Sequence, residues 1–296
     1  MTRSGFTPDL VGLAAPAFER HLSWADAAAF AAGTFDPNPL YLDDREPARL
    51  LAPPVMAAAL TAGGNEGIGA AIFQASGFAR EDFARQVHFT EVIELDRPLR
   101  PGTTFSIRPS LAALRPHRLG TEMVLRYEAL ADGRPAFREH LGTLVRGLFS
   151  PEIGAGASLP DVPVVARLDA VDPMALACAE EDYGVLDAHI YDRCSGISYP
   201  VHVSPAIASA AGLAAPLVHG TAVLARSLRA LVDRQLGGDP SGIRRIAVRF
   251  AGMVLPGTKV RTCLAPAGRF FAEDVATGAP VLRDGAVGIE GGIWAG

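Results

Sequence analysis

One histidine in the second half of the chain, His202, has side-chain chemistry suited to proton transfer. His202 lies in a polar, proline-containing segment, and His219 precedes Gly220 at the start of a predicted amphipathic helix over residues 218–235. Imidazole titrates close to neutral pH and serves as a general acid or base. The first N–H groups of a helix lack partners within it, so the helix start stabilises a developing negative charge. The segment therefore predicts an acid/base site beside an anion-stabilising helix end.

A related but weaker arrangement occurs in the first half. Residues 35–44 (FDPNPLYLDD) contain Asp36, Asn38 and Tyr41, and they precede the apolar stretch LAPPVMAAAL at 51–60. Asp-Pro-Asn-Pro is a turn-forming sequence in which the carboxylate accepts hydrogen bonds from nearby backbone N–H groups. We favour a structural role for Asp36 over a catalytic one, and the catalytic role stays as the alternative.

Both halves are predicted to contain the same order of elements. The predicted helices are 24–32, 55–71, 173–183 and 218–235, and the predicted strands are 86–95, 104–114, 121–131, 138–148, 245–254, 259–265, 269–276 and 285–291. Ser23 is the expected N-cap of the first helix, whereas Gly63, Gly64 and Gly67 interrupt the second. The repeated order predicts an internal duplication.

A stretch rich in Pro, Gly and Ser at 149–165 separates the two halves. We place the boundary near Pro151, which gives domains 1–150 and 151–296. Each domain is predicted to be α+β, with an antiparallel sheet around one long helix. Two such sheets placed edge to edge would cover each other's exposed edge strand.

The composition limits the compartment and the partners. The 296 residues are 49% hydrophobic and 20% charged, with a net charge of -5. The sequence has no run of Lys and Arg, so we do not expect a nucleic-acid partner. No signal peptide is recognisable, and no apolar run reaches the roughly 18 residues of a membrane span. Cys178, Cys194 and Cys263 are an odd number without metal-ligand spacing, so we expect reduced thiols, a cytoplasmic protein and no metal or cofactor. Cys194 is a candidate nucleophile, although a buried small side chain is the commoner role.

The order of several motifs resembles the MaoC-like hot-dog family of (R)-specific enoyl-thioester hydratases and dehydratases in its two-domain form. The motifs in the second half are Tyr191, Ser195-Gly196, Pro200, His202, Gly212-Leu213, Val218-His219-Gly220, Arg249-Phe250 and Pro256-Gly257, and those in the first half are FDPNPLY, APPVM and DRPLRPGTTF. The resemblance implies a double hot-dog fold. It also implies an N-terminal domain that shapes the tunnel for the acyl chain and a C-terminal domain that holds the active site.

The chain departs from the family's hydratase motif S-G-D-x-N-P-x-H. Ser195-Gly196, Pro200 and His202 match, but Ile197 stands at the aspartate and Tyr199 at the asparagine. The resemblance implies that His202 moves a proton and that the N–H of Gly220 binds the thioester oxygen. With the aspartate absent, the remaining groups that could orient a water are Ser198, Tyr199, Asp192, Asp36 and Tyr41.

The resemblance also suggests which residues contact the substrate. These predicted substrate-binding residues are Asn38, Tyr41, Ile197, His219 and Arg249. Arg249, with Arg244, Arg245, Arg97 and Arg100, is a candidate for the phosphates of coenzyme A or of a carrier protein's phosphopantetheine, and a solvated surface is the alternative. His219 is expected to shape the helix start rather than to react, and His88 to be a core or surface residue.

Two classes of function follow from these residues. The first is a hydratase or dehydratase of (R)-3-hydroxyacyl/enoyl thioesters in fatty-acid or polyketide metabolism, with a modified acid/base set. The second is a non-catalytic acyl-thioester-binding protein, or the inactive partner of a catalytic hot-dog subunit, because Ile197 cannot transfer protons. Isomerisation and thioester hydrolysis are weaker alternatives. A homodimer or a hetero-oligomer is expected, with an acyl-CoA or acyl-carrier-protein substrate.

Overall fold

The computed structural model describes residues 5–83, 85–169 and 176–292. Its α-helices are α1 (Trp24–Gly33), α2 (Pro39–Leu42), α3 (Met56–Thr61), α4 (Asn65–Ser76), α5 (Asp187–Ser195), α6 (Pro205–Ala210) and α7 (Gly220–Gln235). Its strands are β1 (Phe18–Leu22), β2 (Gln86–Leu95), β3 (Thr103–His117), β4 (Gly120–Ala131), β5 (Arg134–Arg146), β6 (Ala157–Ser158), β7 (Ala177–Asp182), β8 (Ile243–Phe250), β9 (Lys259–Leu264), β10 (Arg269–Asp274) and β11 (Pro280–Ile289). The double hot-dog, α+β prediction is confirmed.

The strands form one continuous antiparallel sheet of eleven strands. Its order is β1-β3-β4-β5-β2-β8-β11-β10-β9-β7, with β6 paired to β3. The two halves join edge to edge, as expected, because β2 of the first half pairs with β8 of the second, placing Glu91 opposite Val248 and Ile93 opposite Ile246. Each half-sheet thereby supplies hydrogen-bond partners for the exposed edge strand of the other, which explains why the two halves join at this edge.

The first helix and the interruption of the second follow the sequence closely. Ser23 and Asp26 form a reciprocal capping box at the start of α1, which satisfies backbone N–H groups that the helix leaves free. A short 3₁₀ turn, Ala62–Gly64, separates α3 from α4. A Cβ on Gly64 would come within 2.6 Å of the Phe18 ring and 3.1 Å of the Tyr127 ring, so this close approach requires glycine.

The start of the second half differs from the prediction. Residues 177–182, expected to be helical, form β7, and residues 173–175 lie outside the described residues. Exposed and partly buried residues alternate along β7, which suits an edge strand better than a helix. Strand β1 was not predicted at all.

The cysteine prediction is wrong for two of the three residues. Cys178 on β7 lies directly opposite Cys263 on β9, and the two form a disulfide. Their separation of 85 residues hid this pairing, because it depends on a strand that the sequence pattern did not reveal. Cys194 is free.

Helix α7 is the most deeply buried helix of the second half, and ion pairs at Arg226 hold it. The guanidinium donates to Asp187 Oδ2 at 2.7 Å and to the carbonyl of Asp182 at 2.9 Å, and it stacks 3.9 Å from the centre of the Tyr183 ring. These contacts fix the helix against β7 and α5. Within the described part of the chain, none of the helices combines the length and the apolar character needed to cross a bilayer.

Candidate active site

The His202 side chain is held in one tautomer at the end of a 3₁₀ turn, Pro200–His202. Its Nδ1 lies 2.9 Å from the carbonyl oxygen of Leu217. A carbonyl only accepts hydrogen bonds, so Nδ1 carries the hydrogen and Nε2 keeps its lone pair. Burial lowers the pKa of His202, while the carbonyl of Leu217 and the carboxylate of Asp192 oppose that shift. The ring is therefore a neutral base at neutral pH.

A second imidazole, that of His219, is stacked on His202 with the ring centres 3.7 Å apart. His219 Nε2 donates to the carbonyl oxygen of Ile197 at 3.0 Å. Burial, and then the proximity of His202, lower the pKa of His219 to about 3. His219 thus links the helix start to residue 197 through the backbone, and the Ile197 side chain itself is buried.

A carboxylate does lie close to the histidines, although not at the motif position. Asp192 Oδ1 is 3.9 Å from His219 Nε2, which is an electrostatic contact rather than a hydrogen bond. This oxygen is buried and has no hydrogen-bond partner among the residues that the structure describes. A buried acceptor without a donor is costly, so the position of Asp192 calls for a functional explanation.

Gly220 begins α7 beside these histidines. The N-cap residue is His219, whose side chain makes no capping hydrogen bond. A Cβ on Gly220 would come within 3.0 Å of the Phe250 ring, so a larger residue would displace that ring or the helix start. The helix start can therefore receive a carbonyl oxygen that becomes negatively charged.

Tyr199 places a hydroxyl group on the same side of the molecule as His202. The two ring centres are 6.5 Å apart. Asn65 Nδ2, on α4 of the first half, donates to the Tyr199 hydroxyl at 2.7 Å, and Asn65 Oδ1 accepts from the hydroxyl of Tyr127. Sequence reasoning missed Asn65 and Tyr127, because no local pattern indicates a contact between residues so far apart in the chain.

Two buried glutamates and His88 form a polar cluster in the sheet beneath the site. Glu91 and Glu139 are fully buried on the neighbouring strands β2 and β5. Burial raises the pKa of Glu91 to about 8 and that of Glu139 well above its usual range. His88 Nε2 lies 2.9 Å from Glu91 Oε2, and the His88 ring contacts Phe250 with centres 4.2 Å apart. The pair retains protons at neutral pH.

Strand alternation explains why the sequence did not predict this cluster. His88 and Glu91 are three residues apart and would face opposite sides of a regular strand. A β-bulge between His88 and Thr90 turns them to the same side. His88, expected to be an ordinary core or surface residue, is instead the partner of a buried acid.

Asp36, Asn38 and Tyr41 lie elsewhere, against the middle of α7. Asp36 and Tyr41 line a small cavity together with Leu228 and Arg229. Arg229 is nine residues beyond Gly220, about 13 Å along the helix. The structure therefore separates this group from His202 and Gly220.

Local hydrogen bonds account for the geometry of that group. Asp36 Oδ1 accepts from the backbone N–H of Asn38 at 3.1 Å, as the turn sequence predicts, and Asn38 Oδ1 accepts from the N–H of Leu40 at 3.0 Å. Burial raises the pKa of Asp36 to about 6. Asn38 Nδ2 also donates to the carbonyl of Gly238 at 2.7 Å, so this turn joins the two halves.

The remaining candidates have simpler surroundings. Ser198 is exposed. Arg249 donates to Asp284 Oδ2 at 3.0 Å and to the carbonyl of Val165 at 2.7 Å, so it holds the connecting segment against the sheet. The other candidate arginines bond to protein groups as well: Arg244 to Ser241 O, Arg245 to Glu94, Arg97 to Ala131 O and Arg100 to Leu50 O. Among the described residues, none of the His, Cys, Asp and Glu groups has the geometry of a metal site.

Comparison with known proteins adds family information to this geometry. Residues 169–278 match the family described as "MaoC like domain". The protein from Dictyostelium discoideum called "Probable enoyl-CoA hydratase 2" is 26% identical over 134 residues, which are 45% of this chain and 43% of that protein. The chain thus matches less than half the length of this relative.

Two solved structures resemble the whole chain. A MaoC-like dehydratase from Phytophthora capsici superposes with a TM-score of 0.81 at 21% identity, over 96% of this chain and 99% of that one. A Mycobacterium tuberculosis protein described as having a double hot-dog fold superposes with a TM-score of 0.58 at 14% identity, over 96% and 98% of the two chains. At these identities the likeness concerns the fold.

Proposed function

We propose that this chain, whose residues 169–278 match the MaoC like domain and whose fold is that of double hot-dog structures, hydrates enoyl thioesters or dehydrates (R)-3-hydroxyacyl thioesters. One observation carries the proposal. The carbonyl of Leu217, three residues before Gly220, lies 2.9 Å from His202 Nδ1 and fixes its tautomer, so a hydrogen bond ties the base to the segment that leads into the helix start. Proton transfer and anion stabilisation are the two functions that addition to an enoyl thioester requires.

The hydration step can be written with these groups. His202 Nε2 removes a proton from water as the water oxygen bonds to C3 of the enoyl thioester. The C2=C3 electrons move toward the thioester oxygen, where the N–H groups at the start of α7 stabilise the enolate. C2 then takes a proton, and the net change is H on C2 and OH on C3. Dehydration follows the same steps in reverse.

A second proton-transfer group is needed because Ile197 replaces the motif's aspartate. We assign this role to Tyr199, whose ring lies beside that of His202 and whose hydroxyl is held by Asn65. Its phenol protonates C2 and regains the proton from the imidazolium of His202. Ser198 remains a predicted water ligand, and Asp36, Asn38 and Tyr41 are assigned to the N-terminal half rather than to proton transfer.

The proposed substrate is an acyl thioester bound between the two domains. The carrier is coenzyme A or a carrier protein, and the domain of residues 1–150 shapes the acyl tunnel while that of residues 151–296 supplies His202 and Gly220. Ile197 and His219 border the reacting carbons, and Arg249 supports this region through the connecting segment rather than as a free phosphate ligand. We keep the cytoplasm as the proposed compartment although the Cys178–Cys263 disulfide removes the reduced-thiol argument for it, and we propose homo- or hetero-oligomers of hot-dog chains as the assembly.

Turnover of crotonyl-CoA and of trans-2-decenoyl-CoA tests the proposal. The absorbance of the conjugated thioester should fall with the wild-type protein, and His202→Ala should slow the reaction by about 10² to 10⁴-fold. His189→Ala is the matched control, because His189 is exposed on α5. Analysis of the product identifies hydration, isomerisation or thioester hydrolysis. Absence of turnover on both substrates, or full activity of His202→Ala, would contradict the proposal.

A second function is favoured by Ile197 alone: a non-catalytic acyl-thioester binder or the inactive partner of a catalytic hot-dog subunit. An aliphatic side chain at this position cannot orient water or transfer a proton. Under this alternative the protein binds decenoyl-CoA without consuming it, and native mass spectrometry shows a complex with a second hot-dog chain. Ile197→Asp would then not create activity unless the rest of the site is competent.

A further inference from the structure

We infer that Asn65, on helix α4 of the N-terminal half, is a positioning residue that aims the hydroxyl proton of Tyr199 at the substrate. The inference rests on the proposed function and deepens it. Asn65 Nδ2 lies 2.7 Å from the Tyr199 oxygen, and Asn65 Oδ1 accepts from the Tyr127 hydroxyl. The replaced aspartate is thus compensated by a hydrogen-bonded chain from the other half of the molecule.

The buried end of the chain fixes the direction of the hydrogen bonds. Tyr127 is fully buried, and its hydroxyl hydrogen needs an acceptor, which Asn65 Oδ1 supplies. If the amide were turned over, Nδ2 would face Tyr127 and the buried phenolic hydrogen would lose this acceptor. Nδ2 therefore points to Tyr199 and donates to its oxygen.

This direction determines what the Tyr199 hydroxyl can do. Because its oxygen accepts from Asn65, its own hydrogen is available to another acceptor, and Tyr199 is exposed enough to meet a substrate. The same hydrogen bond favours the phenolate and so makes the phenol a better acid, in opposition to burial, which raises the pKa of Tyr199. A donor that leaves the phenol hydrogen available and partly offsets the effect of burial on the pKa is the feature expected of a proton donor to C2.

The packing around Asn65 restrains its side chain. Asn65 is the first residue of α4, directly after the 3₁₀ turn that interrupts the helix. Gly64 packs tightly against the Phe18 and Tyr127 rings, so the turn cannot shift without a clash. Because the helix is interrupted at this turn, the side-chain amide of Asn65 faces Tyr199 in the C-terminal half.

A double-mutant cycle on the turnover of crotonyl-CoA tests the inference. Tyr199→Phe should lower kcat by about 10² with little change in KM, and Asn65→Ala should lower it by about 10-fold. In the Tyr199→Phe background Asn65→Ala should have no further effect, because its contribution passes through the hydroxyl. Asn65→Asp, whose carboxylate accepts the Tyr199 hydrogen, should approach the loss caused by Tyr199→Phe. Gln74→Ala, exposed on the same helix, is the control.

A spectroscopic readout separates positioning from folding. In protein with tyrosine isotope-labelled at Cζ, Asn65→Ala should raise the pKa of Tyr199, and Tyr199→Phe assigns the signal. Additive losses in the cycle, or an unchanged Tyr199 titration in Asn65→Ala, would overturn the inference. Wild-type protein without turnover on either enoyl-CoA would instead overturn the proposed function and, with it, the donor role of Tyr199.

Discussion

The imidazole rings of His202 and His219 are stacked with their centres 3.7 Å apart, and each ring donates to a different backbone carbonyl. Two cations at this distance would repel strongly, so the stack accepts one proton at most near neutral pH. Since the pKa of His219 is lowered to about 3, that proton belongs to His202. In this arrangement the pKa of His202 is lower than that of a free imidazole. The nearby carboxylate of Asp192 opposes this shift, because it stabilises the charged form of His202.

Asp192→Asn should therefore shift the pH dependence of catalysis. His202 acts as a base only when it is neutral, so kcat/KM rises as the pH rises through the His202 pKa and then levels off. Without the Asp192 charge, burial and His88 lower the pKa of His202 with less opposition, so the rise in kcat/KM should move to lower pH. The measurement is the pH profile of kcat/KM for wild type and variant. An unmoved profile would show that Asp192 does not act on His202.

Gly220→Ala should impair turnover more than folding. The added Cβ would press on the Phe250 ring at 3.0 Å and narrow the space at the start of α7. We expect kcat to fall by about 10 to 10³-fold, as when an oxyanion donor is misplaced. Gly242→Ala is the matched control because a Cβ there has no neighbour within 4 Å. Equal activity of the two variants would argue against a thioester oxygen at this helix end.

Some of these features follow from the sequence and others do not. Local rules predicted the Ser23 cap, the glycine break before Asn65 and the long helix beginning at Gly220, because each depends on residues close together in the chain. The fold and His202 came from motif order. The contact between Asn65 and Tyr199 spans the two halves, and the Glu91 cluster depends on a bulge, so neither leaves a periodic signal.

Glu91→Gln should stabilise the protein at mildly alkaline pH. Glu91 has a folded-state pKa of about 8 against about 4.5 when unfolded. The buried histidines contribute equally in wild type and variant, so the difference between the two proteins reports Glu91. At this group the folded state binds more protons between its unfolded and folded pKa values, so its contribution to the free energy of unfolding falls as the pH rises. The slope is at most about 1.4 kcal/mol per pH unit for one group.

Urea unfolding at pH 6.5 and 8 measures that slope. The wild-type protein should lose stability between these two values, and Glu91→Gln should lose less because its amide stays neutral. Glu66→Gln, at an exposed position on α4, is the control and should keep the wild-type slope. Identical slopes for all three proteins would mean that Glu91 is ionised in the folded state at pH 6.5.

Reduction of the Cys178–Cys263 disulfide should lower the stability of the second half of the sheet. The bond closes a loop of 85 residues and ties the edge strand β7, which carries Glu181 and its ion pair with Arg226, to β9. A loop of this length is associated with about 4 kcal/mol of stabilisation, and measured values are often smaller.

The guanidinium midpoint should therefore fall on addition of dithiothreitol to the wild-type protein and to Cys194→Ser. The double variant Cys178→Ser/Cys263→Ser should start from the lower midpoint and not respond to reductant. If the wild-type midpoint does not respond either, the two thiols are reduced in the purified protein and the original expectation of free cysteines is correct.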